Sequence, residues 1–382
     1  MPQADEWPKI AAEETGAGGD ARREPRGDPM RLLSWAAGAV LLFIFGMAIA
    51  TRIPAVQDAM FERVAGKALQ PRQTALFDGD GLKVIFCGTS SPVPSLKREQ
   101  TCTAIVAGDQ FYLVDAGTGS WEVLQAGGMP GGKIGGVFLT HFHSDHIGDL
   151  SEVNLNTWFG GRTAPLSVYG PEGVERVVEG ENEALALDTL YRIAHHGEQV
   201  MPPQTAGMTA FSFDGSAPHV VFEKDGLKVT AFPVKHDPVK PAVGYRFDYK
   251  GRSVSISGDT AYSESLIENS KGVDVLIHEA QSNLMVGKMR DAAQAANIGN
   301  LAKVLSDIMT YHTTPEEAAR AANEAGADWL ILTHFTPPPD NPIAKRMFMR
   351  GVSKIRRDNV KMADDGLVVL LPEAGGISFS AL

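Results

Sequence analysis

The sequence is short of cysteine and of positive charge, and each shortage excludes a class of function. Only Cys87 and Cys102 occur in 382 residues. Neither belongs to a C-x-x-C pair, which argues against a thiolate metal site, and the sequence leaves open whether they form a disulfide. Lys and Arg number 35 against 46 Asp and Glu, so the formal net charge is −11. This acidic average argues against a long RNA or DNA substrate, although a local basic patch is compatible with it.

Long apolar runs are also scarce, and the one present lies near the N-terminus, at residues 32–50. It follows several arginines, a pattern typical of a secretory signal or a membrane anchor, and the small residues of "AIA" at 48–50 favour a cleaved signal. We therefore expect a periplasmic or secreted protein, or one anchored in the inner membrane and facing the periplasm. The predicted organisation is listed by residue range: a disordered tail or start-site artefact at 1–29, a signal peptide or anchor at 30–50, a linker at 51–80 and one globular domain at 81–382.

The globular part alternates short apolar runs with helical segments. The runs read as strands because Gly, Pro and Asp interrupt them, and the helix "TTPEEAARAANEAG" has a Thr cap, an early Pro and a closing Gly. This order predicts two sheets flanked by helices. The predicted strands lie at 82–89, 102–108, 111–117, 135–141, 226–236, 242–249, 252–259, 273–279 and 329–334, and the helices at 148–159 and 313–326.

A histidine-rich stretch, "LTHFHSDHIGDL", directly follows one predicted strand. It contains His141, His143, Asp145 and His146 in the pattern H-x-H-x-D-H. Side chains at 141 and 143 can face one point while those at 145 and 146 face another, so one loop can serve two metal ions. Imidazole and carboxylate ligands suit two Zn²⁺ ions, with Fe or Mn as competitors.

Three more candidate ligands stand where later strands end: His236, Asp259 and His334. Together with the loop they complete two sites, each with an open position for water. The first predicted site holds its metal through His141, His143 and His236. The second uses Asp145, His146 and His334, and Asp259 bridges the two.

These motifs resemble the metallo-β-lactamase superfamily and, within it, the ribonuclease Z branch. The similar segments are "VIFCGTSSPVP", "LTHFHSDHIGDL", "PLSVYGPEG", "SGDT", "DVLIHEA", "YHTTPEEAARAANEAG" and "LILTHFTP", which extend from about Leu82 to Pro338. The resemblance implies an α/β protein, an αββα sandwich with a dinuclear metal site at one edge.

The chain departs from the branch at one place. The ribonuclease Z enzymes that process tRNA usually have a long insertion, a flexible tRNA-binding arm, between the Gly-Tyr-Arg and Gly-Asp-Thr segments. Here only "FDYKGRSVSIS" separates Gly244-Tyr245-Arg246 from Gly258-Asp259-Thr260. This short connection argues against tRNA processing.

The resemblance also suggests catalytic roles. His312 is similar to the proton-donor histidine of the branch, with helix capping as the alternative. Asp145 orients the attacking water besides binding metal. His278 is expected to hydrogen-bond a ligand, or to be a satisfied buried histidine, and Asp115 to orient a ligand histidine or to cap a turn.

Segments outside the metal loop are candidates for substrate recognition. They are 156–162, with an aromatic pair and Arg162; 191–203, with His195 and His196; and 281–309, a partly amphipathic stretch. For the first two segments, ordinary packing or a surface position is the alternative. The segment 281–309 is a candidate lid or membrane contact, with core packing as the alternative.

The combined expectation is an exported or membrane-tethered two-zinc hydrolase of small phosphodiesters or aryl sulfate esters. Expected partners are a small ester substrate, the membrane if the N-terminal segment stays uncleaved, and a second copy in a homodimer, whereas nucleic acid is not expected in this reading. Two alternatives stay open: a tRNA 3′-processing endonuclease of the ribonuclease Z type, and a catalytically inactive metal-binding scaffold.

Overall fold

The computed structural model describes residues 29–68, 74–79 and 81–382. Backbone contacts divide the chain into two compact units, residues 1–69 and 70–382. The predicted disordered tail lies outside the described residues except for its last member, Pro29, where the first helix begins.

The N-terminal unit contains two helices, α1 (Pro29–Ala50) and α2 (Pro54–Ala68). Helix α1 covers the apolar run, while α2 occupies part of the segment that we predicted as a linker. Among the described residues, no single helix is both long and apolar enough to cross a membrane; a pair, Val40–Ala50 with Pro54–Gly66, meets the criteria together but is bent by 88°.

The second unit is built on two mixed sheets. In the eight-stranded sheet the spatial order is β15-β14-β1-β2-β3-β4-β5-β6, and in the seven-stranded sheet it is β13-β12-β11-β10-β9-β8-β7. The strands of the first sheet are β1 (Gly81–Gly88), β2 (Cys102–Ala107), β3 (Gln110–Val114), β4 (Ile134–Phe138), β5 (Leu166–Pro171), β6 (Met208–Phe213), β14 (Leu367–Pro372) and β15 (Ser378–Ala381). Those of the second are β7 (His219–Lys224), β8 (Leu227–Pro233), β9 (Val243–Tyr249), β10 (Arg252–Ile256), β11 (Val275–Gln281), β12 (Trp329–Thr336) and β13 (Val360–Met362).

Helices cover the outer face of each sheet. Beside the first sheet lie α3 (Ser120–Gly127), α4 (Ser144–Ile147), α5 (Leu150–Phe159), α6 (Val174–Ala184) and α7 (Ala186–His196). With the second sheet run α8 (Glu264–Asn269), α9 (Asn283–Ala295), α10 (Gly299–Asp307), α11 (Pro315–Ala325), α12 (Pro342–Phe348) and α13 (Val352–Ile355). Separate apolar clusters fill the three interlayer spaces. The predicted αββα sandwich is therefore confirmed.

Aromatic packing joins the two sheets. The fully buried ring of Phe138, at the end of β4, stacks on Tyr169 at 4.8 Å between ring centroids. It also meets Tyr245 and Phe247 of the second sheet edge-on, at 5.5 and 5.6 Å. The hydroxyl of Tyr245 donates to the carbonyl of Leu139 at 2.6 Å. The strand end that precedes the histidine loop is thus fixed against the opposite sheet.

Two features that the sequence left open are resolved. Cys87 and Cys102 form a disulfide between β1 and β2. The segment 281–309 folds into the helix pair α9 and α10, which pack on each other through a small apolar cluster, while Leu284, Ile298, Leu301 and Val304 of the same segment stay at least 40% exposed.

Replacement of Phe138 tests this description of the core. We expect Phe138→Ala to lower the free energy of unfolding by about 3–5 kcal/mol, because it leaves a cavity among five aromatic neighbours. Phe159→Ala is the matched control, since that ring is 64% exposed, and should change stability by less than about 0.5 kcal/mol. Denaturant unfolding of both variants measures the difference, and equal losses would contradict the description.

Candidate metal centre

Four side chains of the candidate site lie on the loop that follows β4. The backbone is extended at His143 and then turns into the short helix α4. This path buries His141, Asp145 and His146 and leaves His143 exposed. The loop therefore presents imidazoles and a carboxylate to one edge of the sandwich.

The remaining candidate ligands reach the same edge from the second sheet. Strands β8, β10, β11 and β12 run in the same direction, so their carboxyl ends meet there. His236 follows β8, Asp259 follows β10, and His334 lies near the end of β12. The order of the sheet thus places three residues that are far apart in sequence beside one loop.

Two of the site residues have strained backbones. His334 has a φ of 47° and occupies an irregularity where β12 loses register with β11. Such a bulge redirects a side chain. Asp115, after β3, has a φ of 61°. Left-handed conformations are uncommon for residues other than glycine and concentrate at functional sites.

The seven candidate ligands form two clusters that share one carboxylate. Ligand atoms within each cluster lie within 4.8 Å of one another, and the sets are His141, His143, His236 and Asp259 on one side and Asp145, His146 and His334 on the other. Oδ2 of Asp259 is 4.0 Å from Nε2 of His141 and 3.4 Å from Nε2 of His146. Its Oδ1 is 3.3 Å from Nε2 of His334. Asp259 therefore stands between the two clusters.

Unpaired polar atoms show that the centre suits a cation. Nε2 of His146 and Oδ1 of Asp259 are buried without a hydrogen-bond partner among the described residues. Nε2 of His141 lies 2.9 Å from Nδ1 of His143. Such groups are costly to bury unless something satisfies them. Imidazole nitrogens and carboxylate oxygens in this number are ligands for a divalent transition metal ion.

Burial favours the protonation state that binds metal on one side of the centre. Burial, together with the nearby His146, lowers the pKa of His141 well below its ordinary value, and burial also lowers the pKa of His143 and His236. Neutral imidazole is the form that coordinates a metal ion. These three side chains are therefore ready to bind without first releasing a proton near pH 7.

Asp115 contacts His146, one of the candidate ligands, which agrees with the expectation that Asp115 orients a ligand histidine. Its Oδ2 lies 2.8 Å from Nδ1 of His146, and its Oδ1 accepts from the backbone N–H of Thr140 at 2.8 Å. A carboxylate on Nδ1 holds the proton there and leaves Nε2 free as a ligand. The strained backbone at residue 115 thus positions a carboxylate behind the metal loop.

His312 lies beside the two clusters and is held by Glu279. Its Nδ1 is 2.9 Å from Oε1 of Glu279, and a ligand atom of its ring lies within 4.8 Å of those of Asp259 and His334. Burial lowers the pKa of His312, but the charge and hydrogen bond of Glu279, together with the charges of Asp259 and Asp145, raise that pKa to about 9. A protonated imidazole next to the metal ligands can donate a proton to a leaving oxygen.

His278, the neighbour of Glu279, is buried but does not hydrogen-bond any of the candidate ligands, which was the first of our two expectations for it. It lies on the other face of β11, its Nδ1 is 2.7 Å from the carbonyl oxygen of Glu279, and its Nε2 has no hydrogen-bond partner among the described residues. Consecutive strand residues face opposite sides, so only one of the pair could reach the centre. Sequence reasoning missed Glu279, and the alternation within "LIHEA" was the available signal.

The other segments singled out in the sequence are structural or exposed. Trp158 is buried and donates to the carbonyl of Pro202, and Arg162 is buried with hydrogen bonds to Asn154 and Gly207. His195 and His196 are exposed at the end of α7. They are not among the clustered metal-binding groups of the described residues.

An open cleft of about 460 Å³ adjoins the exposed ligand His143. Phe142 and Gly173 line one part of it, and the cations Arg176 and Lys240 line another. It gives a substrate direct access to the metal loop.

Comparison with known proteins identifies the family. The model of the beta-lactamase superfamily domain matches residues 111–335. Ribonuclease Z from Mycolicibacterium paratuberculosis is 35% identical over 259 residues, which cover 67% of this chain and 86% of that protein. This chain belongs to the ribonuclease Z-like branch of the metallo-β-lactamase superfamily. It is accordingly a metal-dependent hydrolase.

Two solved structures share the fold. The metallo-beta-lactamase fold protein YhfI from Bacillus subtilis has a TM-score of 0.54 at 21% identity, with 76% of this chain and 99% of that chain covered. The short form of human tRNase Z has a TM-score of 0.54 at 22% identity, with the same coverage. At these identities the likeness supports the fold alone.

The family corrects three expectations. A main activity on small phosphodiesters or aryl sulfate esters was wrong, because the relatives are ribonucleases. The expectation that nucleic acid is not a partner was wrong for the same reason. The acidic net charge misled because it is an average over the whole surface and says little about one face. The periplasmic, secreted or inner-membrane location, which rested on the N-terminal apolar run, was wrong, because the relatives of this chain are ribonucleases Z.

The contact between Asp115 and His146 provides a test of the centre. We expect Asp115→Asn to weaken zinc binding by about 10–100-fold, because loss of the carboxylate releases the orientation of a ligand histidine. Asp188→Asn, on the exposed face of α7, is the control and should bind zinc normally. Competition with a chromophoric chelator measures both, and normal affinity in Asp115→Asn would show that the pair does not support a metal ligand.

Proposed function

We propose that this protein is a ribonuclease Z-type endonuclease that cleaves a phosphodiester bond at the 3′ side of precursor tRNA, with two zinc ions. The observation that supports it most is the complete ligand set with His312 and Glu279 beside it. A catalytically inactive metal-binding scaffold would not need a proton donor next to a full set of metal ligands.

The chain's own residues divide between two metal positions. His141, His143 and His236 would hold one ion and Asp145, His146 and His334 the other, with the carboxylate of Asp259 between the two clusters. When bound, the ions supply a water that is acidic enough to lose a proton near neutral pH, and positive charge for the phosphate.

Proton transfer is assigned to His312. Glu279 keeps its ring protonated and oriented, and Thr260 fixes that carboxylate through a backbone N–H donated to Oε1 at 3.0 Å. In the reaction, His312 gives its proton to the oxygen that leaves phosphorus, so that this oxygen becomes a neutral hydroxyl at the end of the released strand. Asp145, whose Oδ2 is 3.2 Å from Nε2 of His334, lies where it can also accept a hydrogen bond from the attacking water.

Single-stranded RNA reaches the centre through the cleft beside His143. Phe142 offers an aromatic face for a base, while Arg176 and Lys240 offer positive charge for phosphates. Because the cleft is open, an RNA strand can lie across the metal loop and does not have to enter through a closed channel.

Cleavage of a precursor tRNA with a 3′ trailer tests the proposal. The wild-type protein should release the trailer in one cut, lose that activity with a chelator, and regain it with zinc. Hydrolysis of bis-p-nitrophenyl phosphate without any cut in the precursor would contradict it.

The role of His312 has a separate test. His312→Ala should lower kcat for precursor cleavage by about 10²–10⁴-fold, the usual contribution of a positioned general acid, with the metal content unchanged. His195→Ala removes an exposed histidine and should leave kcat as in the wild type. Gel-resolved single-turnover cleavage, with metal analysis of the same samples, measures both; undiminished cleavage by His312→Ala would remove the assignment.

A further inference from the structure

One segment of this acidic chain is strongly basic. Between residues 345 and 361 there are seven lysines and arginines and one acidic residue, Asp358, a formal charge of +6 in a chain of −11. The basic residues, which we call the cationic segment, are Lys345, Arg346, Arg350, Lys354, Arg356, Arg357 and Lys361.

The cationic segment begins near the metal centre and leads away from it. Strand β12 ends at Thr336, two residues beyond His334, and the chain then passes through α12 and α13 before β13. β13 pairs in parallel with β12, and Val360 lies opposite Leu330. The segment therefore starts at the edge that contains the metal ligands and descends along the sheet for roughly 20 Å, the length of six strand residues.

Three of its seven cations have structural roles. Lys345 pairs with Asp364 at 2.9 Å between Nζ and Oδ1. Arg356 donates to the carbonyl of Asp328 at 2.7 Å, and Lys361 lies over the ring of Phe379 at 5.2 Å. These contacts explain why those three positions are basic.

The other four cations have no such explanation. Arg346, Arg350, Lys354 and Arg357 are exposed, and none forms an ion pair with a described residue. Like charges placed together repel and destabilise the folded state. An anionic ligand would offset that repulsion, and a polyanion would do so at all four positions.

The proposed activity also requires an RNA-binding surface, and this chain lacks the arm that the tRNA-processing enzymes of the branch usually have. Strands β9 and β10 are joined by a turn at Lys250 and Gly251. The connection in which the branch usually has its arm is therefore a tight hairpin here. A substrate held only at the cleft would be bound by few phosphates.

We propose that Arg346, Arg350, Lys354 and Arg357 bind the phosphate backbone of the RNA substrate and take the place of the arm. This inference rests on the proposed function. The charges follow the chain away from the scissile position, which suits the helical body of a structured RNA. Ile343, in the first turn of α12, is 70% exposed, but a single apolar side chain is far less than the apolar face that a membrane-bound helix inserts.

The test replaces all four residues by glutamine and compares the variant with a matched control. The control variant carries Arg192→Gln, Lys224→Gln, Lys228→Gln and Lys271→Gln, which replace the half-buried Arg192 and three exposed lysines elsewhere on the described surface. Both variants lose the same net charge. Hydrolysis of bis-p-nitrophenyl phosphate reports folding and the metal centre in each, and should equal that of the wild type.

The readout is kcat/KM for precursor tRNA across a series of KCl concentrations. In the four-residue variant we expect at least a tenfold loss at low salt and a logarithmic salt slope that is shallower by about 3, since each lost phosphate contact removes about 0.7–0.9. The control should keep the wild-type slope. An unchanged slope in the variant, or an equal change in the control, overturns the inference while the proposed function stands. A wild-type protein that hydrolyses the small diester but neither binds nor cuts the precursor overturns the proposed function itself.

Discussion

Buried negative charge at one edge of the sandwich is the constraint on which the rest of the structure depends. Asp145 and Asp259 are almost fully enclosed, and Asp115 lies directly behind them. Burying carboxylates without compensation costs several kcal/mol each. The surrounding histidines offer lone pairs as well as protons, so the proposed pair of divalent cations would satisfy the lone pairs of Nε2 of His146 and Oδ1 of Asp259, which have no hydrogen-bond partner among the described residues. The centre is built for metal more than for hydrogen bonding.

The fold meets this constraint by bringing strand ends together and by straining two of them. The first sheet provides the loop with three of the histidines, and the second provides His236, Asp259 and His334 from strands of one direction. The left-handed backbone at His334 and at Asp115 aims one ligand and one orienting carboxylate. Aromatic packing around Phe138 holds the two sheets in register, which gives rigidity where strain is stored.

Much of this architecture could be read from the sequence because it is local or periodic. The spacing of His141, His143, Asp145 and His146 predicted two clusters on one loop, and polar residues at strand ends predicted the partners. Strand faces were harder: His278 and Glu279 are adjacent, and only the paired sheet shows which one faces the centre. Substrate class was the larger error, because the short connection after Arg246, the N-terminal apolar run and the acidic net charge were together given more weight than the resemblance to ribonuclease Z. Net charge is an average, and positive charge is concentrated between residues 345 and 361.

The central claim is that the two clusters hold two metal ions with Asp259 between them. Crystals grown with zinc and measured at the zinc absorption edge test it directly. The account predicts two anomalous peaks about 3.5–4 Å apart, one at His141, His143 and His236 and the other at Asp145, His146 and His334. A single peak, or peaks away from these residues, would contradict the account of the centre and the mechanism assigned to it.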